Sequence, residues 1–235
     1  MENNLLLRAR KICKHYGKEK VLDIEGIELK EGEVVGLLGP NGSGKTTLIK
    51  VLSWLEQAAK REIYFRGRRV REENSLEYRR RLGFIWQHPF LYNRSVAENV
   101  ALGLKFRGLL DKEIEKKVRA VLERVGIYHL RDKNAKMLSG GEQQKVSIAR
   151  TLVTDPDIIF IDEPNSSLDV ESIGLIEEII SEEVERGAGI MLVTHNFYQA
   201  RELADRIVFL ERGSRITEAS PEDFFAEREE LLRYL

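Results

Sequence analysis

Gly39-Pro40-Asn41-Gly42-Ser43-Gly44-Lys45-Thr46-Thr47 follows the apolar run Glu33-Val34-Val35-Gly36-Leu37-Leu38 and leads into Leu48-Ile49-Lys50-Val51-Leu52. Four residues separate Gly39 from the Gly44-Lys45 pair, which is the spacing of a phosphate-binding loop set between a strand and a helix. Its glycines let the backbone turn tightly and aim N–H groups inward, and the helix that follows starts with unpaired N–H groups that favour an anion. Lys45 supplies a positive charge for the β- and γ-phosphates, and the Thr46 hydroxyl can enter the inner sphere of Mg²⁺. A glycine-rich loop with an exposed lysine is the plainer alternative. The complete motif and its strand-to-helix flanks argue against it.

The rest of the composition narrows the class. A chain of 235 residues suffices for one α/β core, or for a core with a smaller insertion. Its 38 basic and 39 acidic residues nearly cancel, so no global charge argues for nucleic acid. Cys13 is the only cysteine, which excludes an internal disulfide framework and suits a reducing compartment. The start Met1-Glu2-Asn3-Asn4 does not read as a secretory signal, and no apolar stretch is long enough to span a bilayer. The expectation is a soluble intracellular protein whose membrane role, if any, comes through a partner.

Upstream of the loop, Leu5 to Ile12 and Val21 to Leu29 read as two strands joined by the turn-like His15-Tyr16-Gly17-Lys18, and they are expected to pair antiparallel. Tyr16 either packs on the sheet as a turn aromatic or stacks on a base. Downstream, Arg61 to Phe65 forms a short strand, Glu73 to Arg81 a charged connector, and Leu82 to Trp86 a core strand that delivers Gln87 at its carboxyl end. From His88 to Lys136 the pattern turns helical. Ser95 and Glu98 have capping-box spacing, and Ile114, Val118, Val121, Leu122 and Val125 line one face of a second helix that stops at Gly126. The segment Pro89-Phe90-Leu91-Tyr92-Asn93 ahead of them reads equally as a packed loop or a docking surface.

The α/β pattern resumes at Leu138-Ser139-Gly140-Gly141-Glu142-Gln143, a glycine pair before a helix that runs to about Thr154. Asp157 to Ile161 is a nearly continuous apolar strand, as expected for one buried on both faces, and it ends in Asp162-Glu163-Pro164. A strand over 190–194 ends at His195, a hairpin follows across Arg212-Gly213-Ser214, and Ser220-Pro221 opens a short helical tail.

Two adjacent carboxylates at the mouth of an apolar strand are costly unless they face a cation and water. Asp162 is placed to bind Mg²⁺. Glu163 is placed to polarise the water that attacks the γ-phosphate, because successive strand side chains point opposite ways. Gln87 has the polarity to touch both Mg²⁺ and that water, and His195 to hydrogen-bond the γ-phosphate. The four histidines and one cysteine lack zinc-ligand spacing. Ser139, Gly140 and Gly141, at a second helix N-terminus, form another ready anion site, which can serve a nucleotide held mainly by a second copy of the chain.

The order of these segments, with Ser167-Leu168-Asp169 and His195, strongly resembles the nucleotide-binding subunits of ATP-binding cassette (ABC) transporters over approximately Leu5 to Thr217. The resemblance implies an α/β fold with a P-loop NTPase core, an N-terminal antiparallel β subdomain and an inserted helical subdomain. Residues 1–87 and 137–220 would form the core, 88–136 the helical part and 221–235 a tail, all within a single ABC ATPase domain. It implies ATP and Mg²⁺ as cofactors and a head-to-tail homodimer that buries two ATP molecules. Each ATP would be gripped by the Lys45 loop of one copy and by Ser139 to Glu142 of the other, with Tyr16 on adenine and Asp169 at the contact between copies. Phe90, Leu91 and Tyr92 would meet a membrane-spanning permease, in a system with an extracytoplasmic substrate-binding protein, at the cytoplasmic face of the membrane and without nucleic acid.

Tandem cassettes or long insertions, usual in ABC proteins without membrane partners, are not seen in this sequence, and the lack of an exporter-type segment in Arg131 to Lys136 favours an importer. Phe90 to Val96 and Thr194 to Ala200 look most like the ATPase subunits of tungstate importers. Phosphate, molybdate and polar-amino-acid importers remain alternatives, and more distantly a soluble ABC module acting on nucleic acid or a protein complex. The chain departs from the family pattern at Asn165, Ser167 and Trp86, and Ala58-Ala59-Lys60 lacks the usual turn.

Overall fold

The computed structural model describes residues 4–163 and 170–227. In chain order, β1 (Leu5–Tyr16), β2 (Glu19–Lys30) and β3 (Val34–Leu38) lead to α1 (Lys45–Leu52), followed by β4 (Lys60–Phe65), β5 (Arg68–Arg69) and α2 (Ser75–Arg79). Next come β6 (Leu82–Ile85), α3 (Val96–Phe106), α4 (Asp111–Arg124), α5 (Gly140–Leu152) and β7 (Ile158–Asp162). The chain continues through α6 (Val170–Glu185), β8 (Gly189–Val193), α7 (Phe197–Leu203), β9 (Arg206–Glu211), β10 (Ser214–Ala219) and α8 (Pro221–Glu227). These elements give the P-loop NTPase core, the N-terminal β subdomain and the inserted helical subdomain expected of the sequence. They fall into two units. The first spans Met1–Leu82, Asp157–Glu163 and Ile180–Leu235, the second Gly83–Pro156 and Pro164–Ile179.

The first unit holds two sheets. One runs β2-β1-β4-β5 and is antiparallel throughout. The other runs β10-β9-β3-β8-β7, with β9, β3, β8 and β7 mutually parallel and β10 turned back on β9. All five residues of β3 and all five of β8 are buried, because a parallel sheet is covered on both faces and leaves no place for the polar half of an alternating pattern. That is why Val34 to Leu38 reads as an unbroken apolar run. The carboxyl ends of β3, β7 and β8 lie side by side, with Leu37 opposite Val193 and Asp162 opposite Val193 on the next strand. The residues that follow these strands therefore emerge at one edge, where open α/β sheets collect ligand groups.

An ionic clasp fastens the two sheets of this unit. The Arg206 guanidinium donates through Nε to Glu33 Oε1 at 2.9 Å, through Nη2 to the Glu28 carbonyl at 2.9 Å, and through Nη1 to Glu218. Asp205 Oδ2 accepts from the Val34 N–H at 2.8 Å, so the strand that leads into the phosphate-binding loop is fixed at its start as well.

The second unit is helical. Ser95 caps α3 in the expected manner: its hydroxyl accepts from the Glu98 N–H at 3.2 Å, and the Glu98 carboxylate accepts from the Ser95 N–H at 3.0 Å. Val96, Val100 and Leu104 of α3 and Ile114, Val118, Val121 and Leu122 of α4 are buried at helical spacing. From α5, Thr151 Oγ1 bonds the Phe84 carbonyl at 2.6 Å and Gln144 Nε2 donates to the Trp86 carbonyl at 3.2 Å, which fixes the course of the chain into Gln87.

Three local expectations change. The first turn shrinks to Gly17-Lys18, because after an irregularity at Lys14/His15 the pairs His15↔Lys20 and Tyr16↔Glu19 continue the ladder. The Glu73 to Arg81 connector contains α2, held by a buried Tyr78 whose hydroxyl donates to the Leu52 carbonyl at 2.9 Å. The Gly140-Gly141 pair lies within the first turn of α5 rather than before it, with Ser139 as the N-cap. Among the described residues no helix is long and apolar enough to cross a membrane.

Candidate active site

The phosphate-binding loop is shaped by two close approaches. Gly39 has φ +148°, and a Cβ there would lie 2.1 Å from the Leu210 carbonyl oxygen. Gly44, at φ +99°, is the N-cap of α1, and its Cβ would lie 2.7 Å from Leu22 Cδ2. Only glycine satisfies both the dihedral and the space. Because Gly44 has no side chain, α1 begins without a side-chain cap, and its first N–H groups remain available to an anion. The Ser43 hydroxyl is buried in the same loop and has no partner among the described residues. Free helical N–H groups, an unmatched inward hydroxyl and a lysine form the donor set that suits a polyphosphate.

Lys45 is buried, and its Nζ donates to the carbonyls of Gly39 at 2.7 Å and Pro40 at 3.0 Å. Burial pulls its pKa below the ordinary lysine value, against the pull of Glu163 and Asp162. Thr46 Oγ1 donates to Asp162 Oδ2 at 2.9 Å, which brings together two of the three expected Mg²⁺ contacts. Burial raises the Asp162 pKa, and the Thr46 hydrogen bond and the Lys45 charge only partly offset it. A carboxylate held in its unfavoured form beside a hydroxyl suits a hard cation. Among the described residues no cluster of three or more His, Cys, Asp or Glu could hold a metal by itself. The pair therefore fits Mg²⁺ shared with phosphates and water rather than a closed protein cage.

A folded-state pKa above the usual 3.8 means that protonation of Asp162 favours the fold, so its charge is unfavourable at neutral pH and is relieved as pH falls through the raised value. Asp162→Asn is accordingly expected to raise the melting temperature of nucleotide-free protein while lowering Mg²⁺-dependent ATP turnover on the order of 100-fold or more. Differential scanning calorimetry and phosphate-release assays check the two halves separately.

Glu163 has left the strand. Its φ is +48°, its N–H donates to the Val193 carbonyl at 2.9 Å, and its Oε1 lies 3.1 Å from His195 Nδ1. Strand alternation is thus not what separates Asp162 from Glu163. A left-handed residue directly after β7 does so, at the strain typical of functional positions. Lys45, Thr46, Asp162, Glu163 and His195 are all brought to one edge of the first unit.

Gln87 belongs to the second unit and follows Trp86, whose ring stacks on Phe84 at 5.2 Å. Tyr16 is 47% exposed, with Lys14 Nζ 4.6 Å from one ring face. A hydrogen bond to Glu56, together with some burial, raises its pKa. In the second unit the Ser139 hydroxyl is engaged with Glu142, whose carboxylate accepts from the Ser139 N–H at 2.9 Å. Those two bonds hold the Glu142 pKa below the usual glutamate range. Glu142 is therefore the capping carboxylate of α5, and Gly140 faces open space. Asp169, with Ser167 and Leu168, lies outside the described residues.

The expected docking segment divides. Phe90 is 66% exposed and meets Tyr92 edge-on at 5.4 Å, whereas Leu91 is buried as an anchor. Two residues that sequence reasoning passed over fix this segment. Asn99, fully buried, accepts from the Tyr92 N–H at 2.8 Å and donates to the Tyr92 carbonyl at 3.1 Å, and Arg150 Nη1 donates to the Phe90 carbonyl at 2.7 Å. The only signal for Asn99 was an amide on the apolar face of a helix.

Comparison with known proteins agrees with this geometry. A family described as ABC transporter matches residues 23–166. The tungstate uptake system ATP-binding protein TupC of Peptoclostridium acidaminophilum is 39% identical over 207 residues, covering 88% of this chain and 94% of that protein. The glutamine transport ATP-binding protein GlnQ of Geobacillus stearothermophilus is 37% identical over 229 residues, covering 96% and 95%. The structure of cbiO1 from Clostridium perfringens, part of the ABC transporter complex cbiONQ, superposes with a TM-score of 0.85 at 29% identity, covering 96% of this chain and 92% of that one. The chain belongs to the ABC transporter family, as one of its ATP-binding, ATP-hydrolysing subunits.

Proposed function

We propose that the chain is the motor of an importer for a small oxyanion, with tungstate as its cargo. It works as a head-to-tail homodimer on a membrane-spanning permease fed by an extracytoplasmic substrate-binding protein. The observation that carries the motor is the convergence of Lys45, Thr46, Asp162, Glu163 and His195 at one sheet edge. Bound ATP with Mg²⁺ supplies the phosphoryl chemistry. Lys45 and the α1 N-terminus grip its phosphates, Thr46 and Asp162 hold the cation, and Glu163 takes up the proton of the attacking water. The family resemblance assigns Gln87 to the same cation and water, and His195 orients the γ-phosphate. Tyr16 offers its remaining ring face to adenine.

The Gly140 end of α5 would supply donors to the nucleotide of a partner copy, with Ser139 and Glu142 holding that turn in shape, and Asp169 would lie beside the same contact. ATP then favours the closed dimer because only closure forms both sets of phosphate contacts, and hydrolysis releases it. Phe90 and Tyr92 are exposed enough to meet the permease, which would hold the subunit at the cytoplasmic face of the membrane. The tungstate reading is supported by the TupC relative and by the Asn93-Arg94-Ser95-Val96 and His195-Asn196 segments. A competing glutamine-system relative of similar identity makes the cargo the part to test.

The test is uptake into proteoliposomes holding the full transporter, with tungstate, molybdate, phosphate, sulfate and glutamine compared. ATP-dependent uptake of tungstate in preference to the others is expected. Uptake that ignores tungstate while another solute is driven by ATP overturns the cargo and leaves the motor standing.

A further inference from the structure

His195 follows the last residues of β8 and precedes the seven-residue helix α7. Its ring is 47% exposed, so packing does not fix it, and among the described residues its ring bonds only to Glu163. Its neighbours are held differently. The Thr194 hydroxyl accepts from the Asn196 N–H at 3.0 Å and donates to Gln199 Oε1 at 3.0 Å. Asn196 Oδ1 accepts in turn from the Gln199 N–H at 3.2 Å, and the Asn196 carbonyl accepts from the Ala200 N–H at 3.0 Å. Thr194 is thus tied to the Gln199 side chain, and Asn196 to the Gln199 backbone N–H, one helical turn later. Thr194 and Gln199 are 4% and 1% exposed, so this bracket is made in a dry place where a hydrogen bond is costly to lose.

We propose that Gln199 is a positioning residue for His195, acting through the Thr194 hydroxyl to hold the turn from which the imidazole is presented to the γ-phosphate. This rests on the reading of His195 as the γ-phosphate contact. The bracket uses only one end of the amide: Gln199 Oε1 accepts from Thr194, whereas its Nε2 is buried with no partner among the described residues. Removing either the Gln199 acceptor or the Thr194 hydroxyl should therefore break the device, whereas a serine at 194, which keeps the hydroxyl, should preserve it. Misplacing a reacting group by about 1 Å costs on the order of 100-fold in rate. Partial release of an exposed ring whose flanking backbone remains anchored should cost about tenfold.

The test uses full-length protein, with steady-state ATP hydrolysis measured well below the melting temperature of every variant. Gln199→Met is expected to lower kcat about tenfold with KM for ATP within about twofold, and Thr194→Ser, which keeps the hydroxyl without burying a charge, to stay within about threefold of the parent. Thr194→Val should match Gln199→Met, and the double variant should be no worse than either single change, because the two groups act as a unit. A lower melting temperature for Gln199→Met with unchanged kcat assigns Gln199 to stability alone and overturns the proposal, as does equal impairment of Thr194→Ser and Thr194→Val. His195→Ala separates the two layers. If it is impaired while Gln199→Met is not, only the role of Gln199 fails. If His195→Ala turns over like the parent, the reading of His195 fails, and the positioning role with it.

Discussion

Glu163→Gln is expected to lower ATP turnover by on the order of 10²–10⁴-fold while leaving Mg-ATP affinity within a few fold, the range set by losing a general base. Glu163 donates its N–H to the Val193 carbonyl and sits at φ +48°, so its position is set by backbone that an amide side chain leaves untouched. Gln retains an oxygen that can accept from His195 Nδ1, 3.1 Å away in the parent, but it has no carboxylate to take the proton of water. The phosphate grip on the loop and the Thr46–Asp162 pair are unchanged. Binding therefore proceeds, and with hydrolysis blocked the ATP-closed dimer should accumulate. Phosphate release, equilibrium ATP binding and size-exclusion chromatography in Mg-ATP together check this. Hydrolysis equal to the parent's would remove Glu163 from the mechanism.

Lys45→Met acts on the earlier step. The Lys45 ammonium is buried and bonded to the Gly39 and Pro40 carbonyls, so it is already gathered into the loop. Its lowered pKa reflects burial first, with Glu163 and Asp162 pulling the other way. Phosphate oxygens give this charge the counter-ion that two carbonyls cannot. Two charge-assisted hydrogen bonds at about 1.5–3 kcal/mol each amount to roughly 3–6 kcal/mol, or about 10²–10⁴ in Kd. Met fills similar volume without a charge, so the nucleotide-free fold should melt close to the parent. The expected result is loss of ATP affinity at nearly constant stability, read by equilibrium titration and calorimetry. A shift in Kd below about tenfold would show that the N–H groups of α1 and the loop dominate the grip.

Much of this site was legible because local chemistry leaves few choices. Gly39 is required by a backbone oxygen 2.1 Å from any added Cβ, and Gly44 by its φ of +99° together with the Leu22 side chain at 2.7 Å. Ser95 with Glu98 announces a helix start through side chains that bond their own backbone. The helix after Asp111 follows from apolar residues at helical spacing. Less legible were groups defined by neighbours far away in sequence. Leu91 looked like part of an exposed triplet with Phe90 and Tyr92, yet it is buried while the other two are not. Asn99 holds that segment from seven positions beyond Tyr92 and Arg150 from sixty beyond Phe90, and no short motif records either.

The sequence by itself determined the phosphate-binding loop, the strand that feeds it, the carboxylate pair and the helical insertion, because each is a local pattern of spacing, capping or turn chemistry. Only the tertiary structure decided how those parts are aimed. It set Thr46 against Asp162 across 116 positions, turned Glu163 out of its strand toward His195, and placed Gln199 behind Thr194. The physical reason is that parallel strands pair without regard to chain order. Their shared carboxyl edge joins residues that no sequence interval relates.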